Sequence, residues 1–155
     1  MAPRPLPITE KMPAERPTPR VIALQAVALV VVVGMAIWRA PAGNWDLGLL
    51  LVLFSFAVFS DLTAITTNAQ IKISGSFLAL VLAMVFLGGT PAALIGVMTI
   101  TVGWLRWRDA PHDLLNNLLT YATFPLVGGV AFIEVTHRAG IDAGQPLFYV
   151  FIFVL

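Results

Sequence analysis

The sequence contains no cysteine and little charge. None of its 155 residues is Cys, and only 11% are Asp, Glu, Lys or Arg, against about 25% in soluble domains. The absence of Cys excludes disulfides, thiolate catalysis and Cys-ligated metal sites. Nine basic and eight acidic residues nearly cancel, so no nucleic acid is expected as a partner. The chain is 59% hydrophobic with a mean hydropathy of +0.91, which is typical of a membrane protein.

The first 20 residues differ from the rest of the chain. They hold six of the eleven prolines, with Arg4, Lys11, Arg16 and Arg20 between them. Proline blocks helix formation and removes backbone donors, and little here can be buried. We therefore interpret residues 1–20 as a disordered, basic, Pro-rich cytoplasmic tail.

Six apolar segments follow the tail. A helix needs about 20 apolar residues to cross a bilayer. We predict an all-α fold, a polytopic transmembrane helical bundle over residues 21–155 with five complete spans and the start of a sixth. The predicted spans are about 21–38, 45–60, 74–87, 91–105, 114–135 and 146–155. The last has no charge and no capping residue, so we expect the chain to be the front part of a longer protein.

Several of these assignments carry further expectations. Residues 40–42 resemble a signal-peptide cleavage site, but the apolar run before them is longer than a signal peptide normally has. The third and fourth segments are short and joined by a tight turn at 88–91, so a re-entrant hairpin is the alternative to two crossings. Asp113 is the predicted N-cap of the fifth segment. Pro125 within that segment predicts a kink.

The distribution of basic residues predicts the orientation. With the N-terminus in the cytoplasm, seven of the nine Lys and Arg residues lie inside, and only Arg39 and Arg138 lie outside. This bias favours a cytoplasmic N-terminus. We expect a multi-pass protein of the cell membrane that contacts the lipid bilayer, with a homodimer as one candidate assembly.

Small residues at helical spacing mark candidate packing faces. The third segment has one such stripe and the fourth has another, and small residues let membrane helices approach closely. We expect the two stripes to face each other across the hairpin, and chance in an Ala- and Gly-rich chain is the alternative. The residues are Gly75, Ala79 and Ala83 in the third segment and Ala92, Gly96 and Gly103 in the fourth.

Polar residues within the apolar part form the candidate ligand-binding site. Some lie in the connection 61–74 and others at the start of the fifth segment, both on the predicted cytoplasmic side. Polar groups in membrane helices usually face the bundle or a cavity, so we expect a pocket for a small ligand of unknown identity. Interhelical hydrogen bonds and an interfacial loop are the alternative. The residues are Asn68, Gln70, Lys72, Asn116, Asn117, Thr120 and Tyr121. The alternation of Ile71 and Ile73 with Lys72 and Ser74 predicts a short extended stretch.

No group of residues indicates catalysis. His112-Asp113 matches the HD dipeptide of metal phosphohydrolases, but the other histidine, His137, lies on the opposite side of the predicted membrane. Glu134 lies near the outer end of the fifth segment, where it can reach water. The sequence has no P-loop, GxSxG or HExxH motif. We therefore assign no catalytic residue, no metal and no cofactor.

Residues 71–96, IKISGSFLALVLAMVFLGGTPAALIG, resemble the amino-terminal membrane region of bacterial signalling proteins. In that pattern an I-x-I-S stretch leads into an apolar helix, a Gly-x-Pro-Ala turn and a second helix, and a later helix opens with an apolar residue and Asn, here Leu115-Asn116. The sequence departs from the pattern at Gly75 and in the doubled Asn116-Asn117.

The resemblance implies a membrane sensor or anchor. In the families concerned, the membrane region precedes an HD-GYP phosphodiesterase, GGDEF cyclase or histidine kinase module. Any enzymatic activity would then belong to an output domain beyond residue 155. The alternative function is a small-solute transporter or a substrate-binding membrane component.

Overall fold

The computed structural model describes residues 18–39, 45–66, 72–108 and 110–140, and these are helical apart from two short strands. Most of the predicted tail and the whole sixth segment, 146–155, lie outside the described residues. The elements in chain order are α1 Pro19–Arg39, α2 Leu47–Leu62, β1 Ile65–Thr66, β2 Lys72–Ile73, α3 Ser76–Phe86, α4 Gly89–Trp107 and α5 Pro111–Ala139.

The prediction of five complete membrane spans is wrong. Among the described helices, only α1 and α5 are long and apolar enough to cross a membrane. α2 has 16 residues and α3 has 11, which corresponds to about 24 Å and about 16 Å, against a hydrocarbon core of about 30 Å. α4 has 19 residues, but Thr, Gly, Pro and Arg dilute its apolar content. Hydropathy located the five helices of the described residues, but it does not determine where each helix begins and ends.

Helix ends follow local chemistry. The Asp46 side chain caps α2 by accepting a hydrogen bond from the Leu49 amide at 3.0 Å. Arg108 ends α4 in the left-handed conformation, with φ 54°. α5 begins at Pro111, so Asp113 lies in its first turn and is not the predicted N-cap. A proline is tolerated there because the first helical amides have no intrahelical partner.

The two strands form a minimal antiparallel pair between α2 and α3. Ile65 lies opposite Ile73, and Thr66 lies opposite Lys72. The extended stretch predicted from the alternation around Lys72 is confirmed. The pair brings the chain back, so that α3 begins beside the end of α2 and packs against it.

α4 lies at the centre of the helical packing and contacts α5 most extensively. One buried cluster joins α2, α3 and α4 around Ala57, Leu80 and Ile95. A second joins α1, α4 and α5 and includes Val32, Ala93, Ala122 and Leu126. The interior thus combines Ala residues, which allow close helix approach, with larger Leu, Ile, Val and Met side chains.

Three helices run alongside one another in alternating directions. Gln25 near the start of α1 donates a hydrogen bond to Asn116 near the start of α5. One to two turns further along, Val32 packs in the same cluster as Ala122. α1 and α5 are therefore parallel. The start of α4 reaches the far end of α1, where the Thr90 hydroxyl approaches the Ala36 carbonyl at 3.5 Å, so α4 is antiparallel to both.

The outer surface of the packed helices is strongly apolar. In α1 only 6% of the best apolar window is buried. Val30 and Ile37 are each 72% exposed, and large apolar side chains are also exposed on α2, α3 and α5. Contiguous apolar surface of this kind marks a contact with lipid or with another protein.

Candidate functional site

Asp61 is the one carboxylate that the structure buries among the described residues. It lies in the last turn of α2 and is only 5% exposed. Buried charged groups in apolar helices are costly and commonly functional. Its cleft lies between α2, α4 and α5 and is also lined by Ile100, Gly103, Trp104, Trp107, Leu114 and Asn117.

Gly103 makes room for this carboxylate. A Cβ placed on Gly103 would lie 3.0 Å from Asp61 Oδ2, closer than an ordinary van der Waals contact. The remaining cavity has a volume of about 40 Å³. A water molecule needs roughly 10–15 Å³, whereas pockets for drug-sized ligands have volumes of about 300 Å³ or more. The cleft therefore accommodates water or a small ion.

The position of Asp61 sets the chemistry of the cleft. The C-terminal end of a helix carries partial negative charge, so a carboxylate buried there favours a cation or hydrogen-bond donors close by. Asn117, whose side chain is an amide, and the indoles of Trp104 and Trp107 belong to the lining. Arg106 lies over the Trp107 ring at 5.1 Å, next to the cleft.

The predicted ligand-binding residues are divided between different surroundings. Asn117 lines the Asp61 cleft, while Asn116 accepts its hydrogen bond from Gln25 of α1 at 3.2 Å. The Thr120 hydroxyl donates to the Asn116 carbonyl of its own helix. Tyr121 packs against the cluster of α2, α3 and α4. Asn68 and Gln70 lie outside the described residues, and only the backbone of Lys72 is described, in β2.

The small residues lie at helix contacts, but not all of them between α3 and α4. Ala79, Ala83 and Ala92 are fully buried in one cluster. By contrast, a Cβ on Gly75 would meet the Ser60 side chain of α2. Gly103 also faces α2, as described above. Gly96 faces α5, so the stripe on α4 serves several neighbours.

The contact at Gly96 involves a carbonyl that a proline sets free. Pro125 lacks an N–H, so it cannot bond the Tyr121 carbonyl four residues earlier in α5. A Cβ on Gly96 would lie 2.5 Å from that carbonyl oxygen. The freed carbonyl therefore lies against the backbone of α4, and neighbouring helices commonly satisfy such groups in membrane proteins.

Sequence reasoning missed the importance of Asp61. The sequence places Asp61 at the start of the polar connection 61–74, between two apolar segments. The sequence contains no local signal for this site, because Asp61 and Gly103 belong to segments that are far apart in the chain. Only the packing of α2 against α4 reveals that pairing.

The other titratable residues of the described part give less indication of a functional site than Asp61 does. His112 and Asp113 approach at 3.5 Å at the start of α5, where the Asp113 side chain is exposed. Glu134 pairs with Arg138 at 2.6 Å, also on the surface. No group of three His, Cys, Asp or Glu side chains within the described part of the chain could hold a metal ion.

Comparison with protein-family models, with curated proteins and with solved structures found no match to this chain. The geometry of its helices and of the Asp61 cleft is therefore the basis for a functional proposal.

Proposed function

We propose that this chain is the membrane sensor or anchor region of a bacterial signalling protein, serving a catalytic output module. The observation that carries the proposal is the apolar exterior. Side chains such as Val30 and Ile37 are exposed on a helix long enough to cross a bilayer. A water-soluble domain would bury such a helix, whereas a bilayer solvates it.

The finer topology proposed is multi-pass, with the N-terminus in the cytoplasm. The two candidate spans, α1 and α5, run parallel, so a chain that crosses by both has to return between them. α4 is antiparallel and packs against both. Its own sequence is not apolar enough for a lipid-exposed span, so the return path proposed through α4 depends on its being shielded by α1 and α5. The excess of Lys and Arg at the N-terminal side supports the orientation.

Single cysteines test this topology, because the chain has none of its own. Thr18 precedes α1 and Ala139 ends α5, and both are exposed. In intact cells, Ala139→Cys should react with an impermeant thiol reagent, and Thr18→Cys should react only after the membrane is opened. Labelling of Thr18→Cys in intact cells would overturn the orientation, and labelling of both at equal rates would overturn the crossing.

A sensor differs from a passive anchor in how mutations act. Asn117→Ala changes the Asp61 cleft, and Asn116→Ala changes a polar contact outside it. In the complete protein, a sensing role predicts that Asn117→Ala alters output activity while its melting temperature stays close to that of Asn116→Ala. A loss of output that follows lost stability equally in both variants would leave only an anchor.

The alternative function, a small-solute transporter or substrate-binding membrane component, is supported by the buried Asp61 carboxylate. Acids within membrane helices mark ion paths in many transporters. The size of the cleft restricts this alternative to solutes of the size of water or a small ion. The test measures the flux of water or small ions across the membrane of proteoliposomes that contain the protein. A flux that is present with the wild type and lost with Asp61→Asn would favour transport over signalling.

A further inference from the structure

The last turn of α4 projects from the packed helices. Earlier in α4, side chains such as Ile95 and Thr99 are fully buried. The last turn differs, because every residue after Trp104 is exposed, and Leu105 and Trp107 keep 60% and 55% of their surface in contact with solvent. This surface, the α4 end patch, therefore combines two large apolar side chains with two cationic ones. Its residues are Leu105, Arg106, Trp107 and Arg108.

The end of the molecule that carries this patch has an excess of positive charge. α4 ends where the parallel helices α1 and α5 begin, and Arg20 is exposed in the first turn of α1. The acids described at this end are Asp61, which is buried, and Asp113, whose carboxylate approaches His112 at 3.5 Å. At the opposite end Arg138 pairs with Glu134. The described part of the chain therefore attracts anions at the α4 end patch.

The two arginines of the patch present their donors to the outside. Arg106 lies over the Trp107 ring at 5.1 Å, a cation–π contact that leaves its N–H groups free to donate hydrogen bonds at the edges. Arg108 has φ 54°, a left-handed conformation that normally favours Gly, so the backbone gives no reason for an arginine there. Within the described residues, neither guanidinium pairs with a carboxylate.

We propose that the α4 end patch binds the phosphate groups of anionic phospholipids at the membrane surface. Arg106 and Arg108 donate hydrogen bonds to the phosphates, for which guanidinium groups are well matched. Leu105 and Trp107 lie in the interface beneath them, where tryptophan is commonly found. A soluble anion such as free phosphate would leave both apolar side chains in water, whereas a lipid surface solvates the apolar and the cationic parts together.

An alternative role for the arginines is to stabilise the C-terminal end of α4, which carries partial negative charge. That role predicts lower stability when an arginine is removed, and it predicts no preference among lipids. The binding proposed depends on the membrane location proposed above, but not on the signalling role. The experiment therefore measures membrane location and lipid preference separately.

The test uses quenching of Trp107 fluorescence by brominated phospholipids in nanodiscs of phosphatidylcholine. The chain has four Trp residues, so the signal of Trp107 is the difference between each protein and the same protein with Trp107→Phe. An arginine near an anionic surface contributes about fivefold in affinity. Brominated phosphatidylglycerol should therefore associate with Trp107 about fivefold or more tightly than brominated phosphatidylcholine at the same mole fraction.

Three variants complete the test. Arg106→Gln and Arg108→Gly should each lower the preference several-fold, whereas Arg138→Gln, at the opposite end of α5, should leave it unchanged. Glycine adopts φ 54° without strain, so Arg108→Gly should melt at the same temperature as the wild type or higher. Its loss of preference then reflects lost lipid binding and not lost folding.

The outcomes separate the two proposals. A protein that elutes apart from the nanodiscs would overturn the membrane location and the lipid site together. Co-elution with equal quenching by the two lipids would overturn the lipid site alone, as would an unchanged preference in Arg106→Gln and Arg108→Gly. Inorganic phosphate should lower the preference only as much as chloride of equal ionic strength does, through screening. A much larger loss with phosphate would assign the site to the free anion and overturn the lipid assignment.

Discussion

At the scale of single residues, the molecule depends on the absence of side-chain atoms. Gly96, Gly103 and Gly129 each lie where a Cβ would meet another helix. At Gly129 the Cβ would overlap the backbone of Gly89, so α4 and α5 touch there through their main chains. These glycines have ordinary helical conformations, and their role is therefore close approach and not backbone freedom.

Gly96→Ala should destabilise the protein by about 1–3 kcal/mol, because the new methyl group would clash with the Tyr121 carbonyl. Gly34→Ala is the matched control. It makes the same substitution in α1, where nothing lies within 4 Å, and should leave stability unchanged or slightly raised. Melting curves in detergent compare the two, and an equal effect of both substitutions would remove the close-contact argument.

At the scale of elements, α5 shows how a proline couples two helices. Because Pro125 has no backbone N–H, the Tyr121 carbonyl has no hydrogen-bond donor at that position of α5. It lies against Gly96 of α4 instead. The helical assignment of α5 continues through Pro125 to Ala139. The proline therefore supplies a contact between helices while the element remains long enough to cross a membrane.

A double-mutant cycle tests this coupling. Pro125→Ala supplies a backbone N–H that can donate a hydrogen bond to the Tyr121 carbonyl within α5. This hydrogen bond would draw the oxygen away from α4. The penalty of Gly96→Ala should then be smaller in the Pro125→Ala background, with a coupling free energy of about 0.5–3 kcal/mol. Melting curves of the wild type, both single variants and the double variant give this value. Strictly additive effects would contradict the proposed link.

The positions of the elements were easier to predict from sequence than their lengths and partners. Runs of apolar residues located the five helices that the structure describes, and the alternation around Lys72 located β2. The misjudgement of α2 and α3 as complete spans arose because mean hydropathy hardly distinguishes 11 or 16 helical residues from 20. The division of Asn116 and Asn117 between α1 and the Asp61 cleft depends on the packing of distant segments, which no local pattern contains.

At the scale of the whole molecule, the decisive property is the apolar exterior. Substituting Val30, which is 72% exposed, with Asp distinguishes the environments that could surround it. In water an exposed Val→Asp change is close to neutral, whereas a charge at the centre of a membrane helix costs about 2.5–3.5 kcal/mol for insertion.

We therefore expect Val30→Asp to lower the fraction of protein that resists alkaline extraction from membranes. Thr18→Asp, which lies before α1 at the exposed end of the described chain, should have little effect. Membranes prepared from cells expressing each variant provide the measurement. Full resistance of Val30→Asp would show that α1 does not lie in the hydrocarbon.

The parallel arrangement of α1 and α5 has a consequence for biosynthesis. Gln25 and its partner Asn116 are 91 residues apart, so α1 leaves the ribosome long before its main packing partner exists. α1 is apolar enough to lie in a bilayer before that partner is synthesised. α4, which is more polar than α1, is synthesised just before α5, and it contacts α5 more extensively than any other helix. We expect α4 to settle stably only once α5 has been synthesised, so that a chain truncated at residue 110 and released from the ribosome would leave α4 accessible to protease, whereas a chain that includes α5 would protect it.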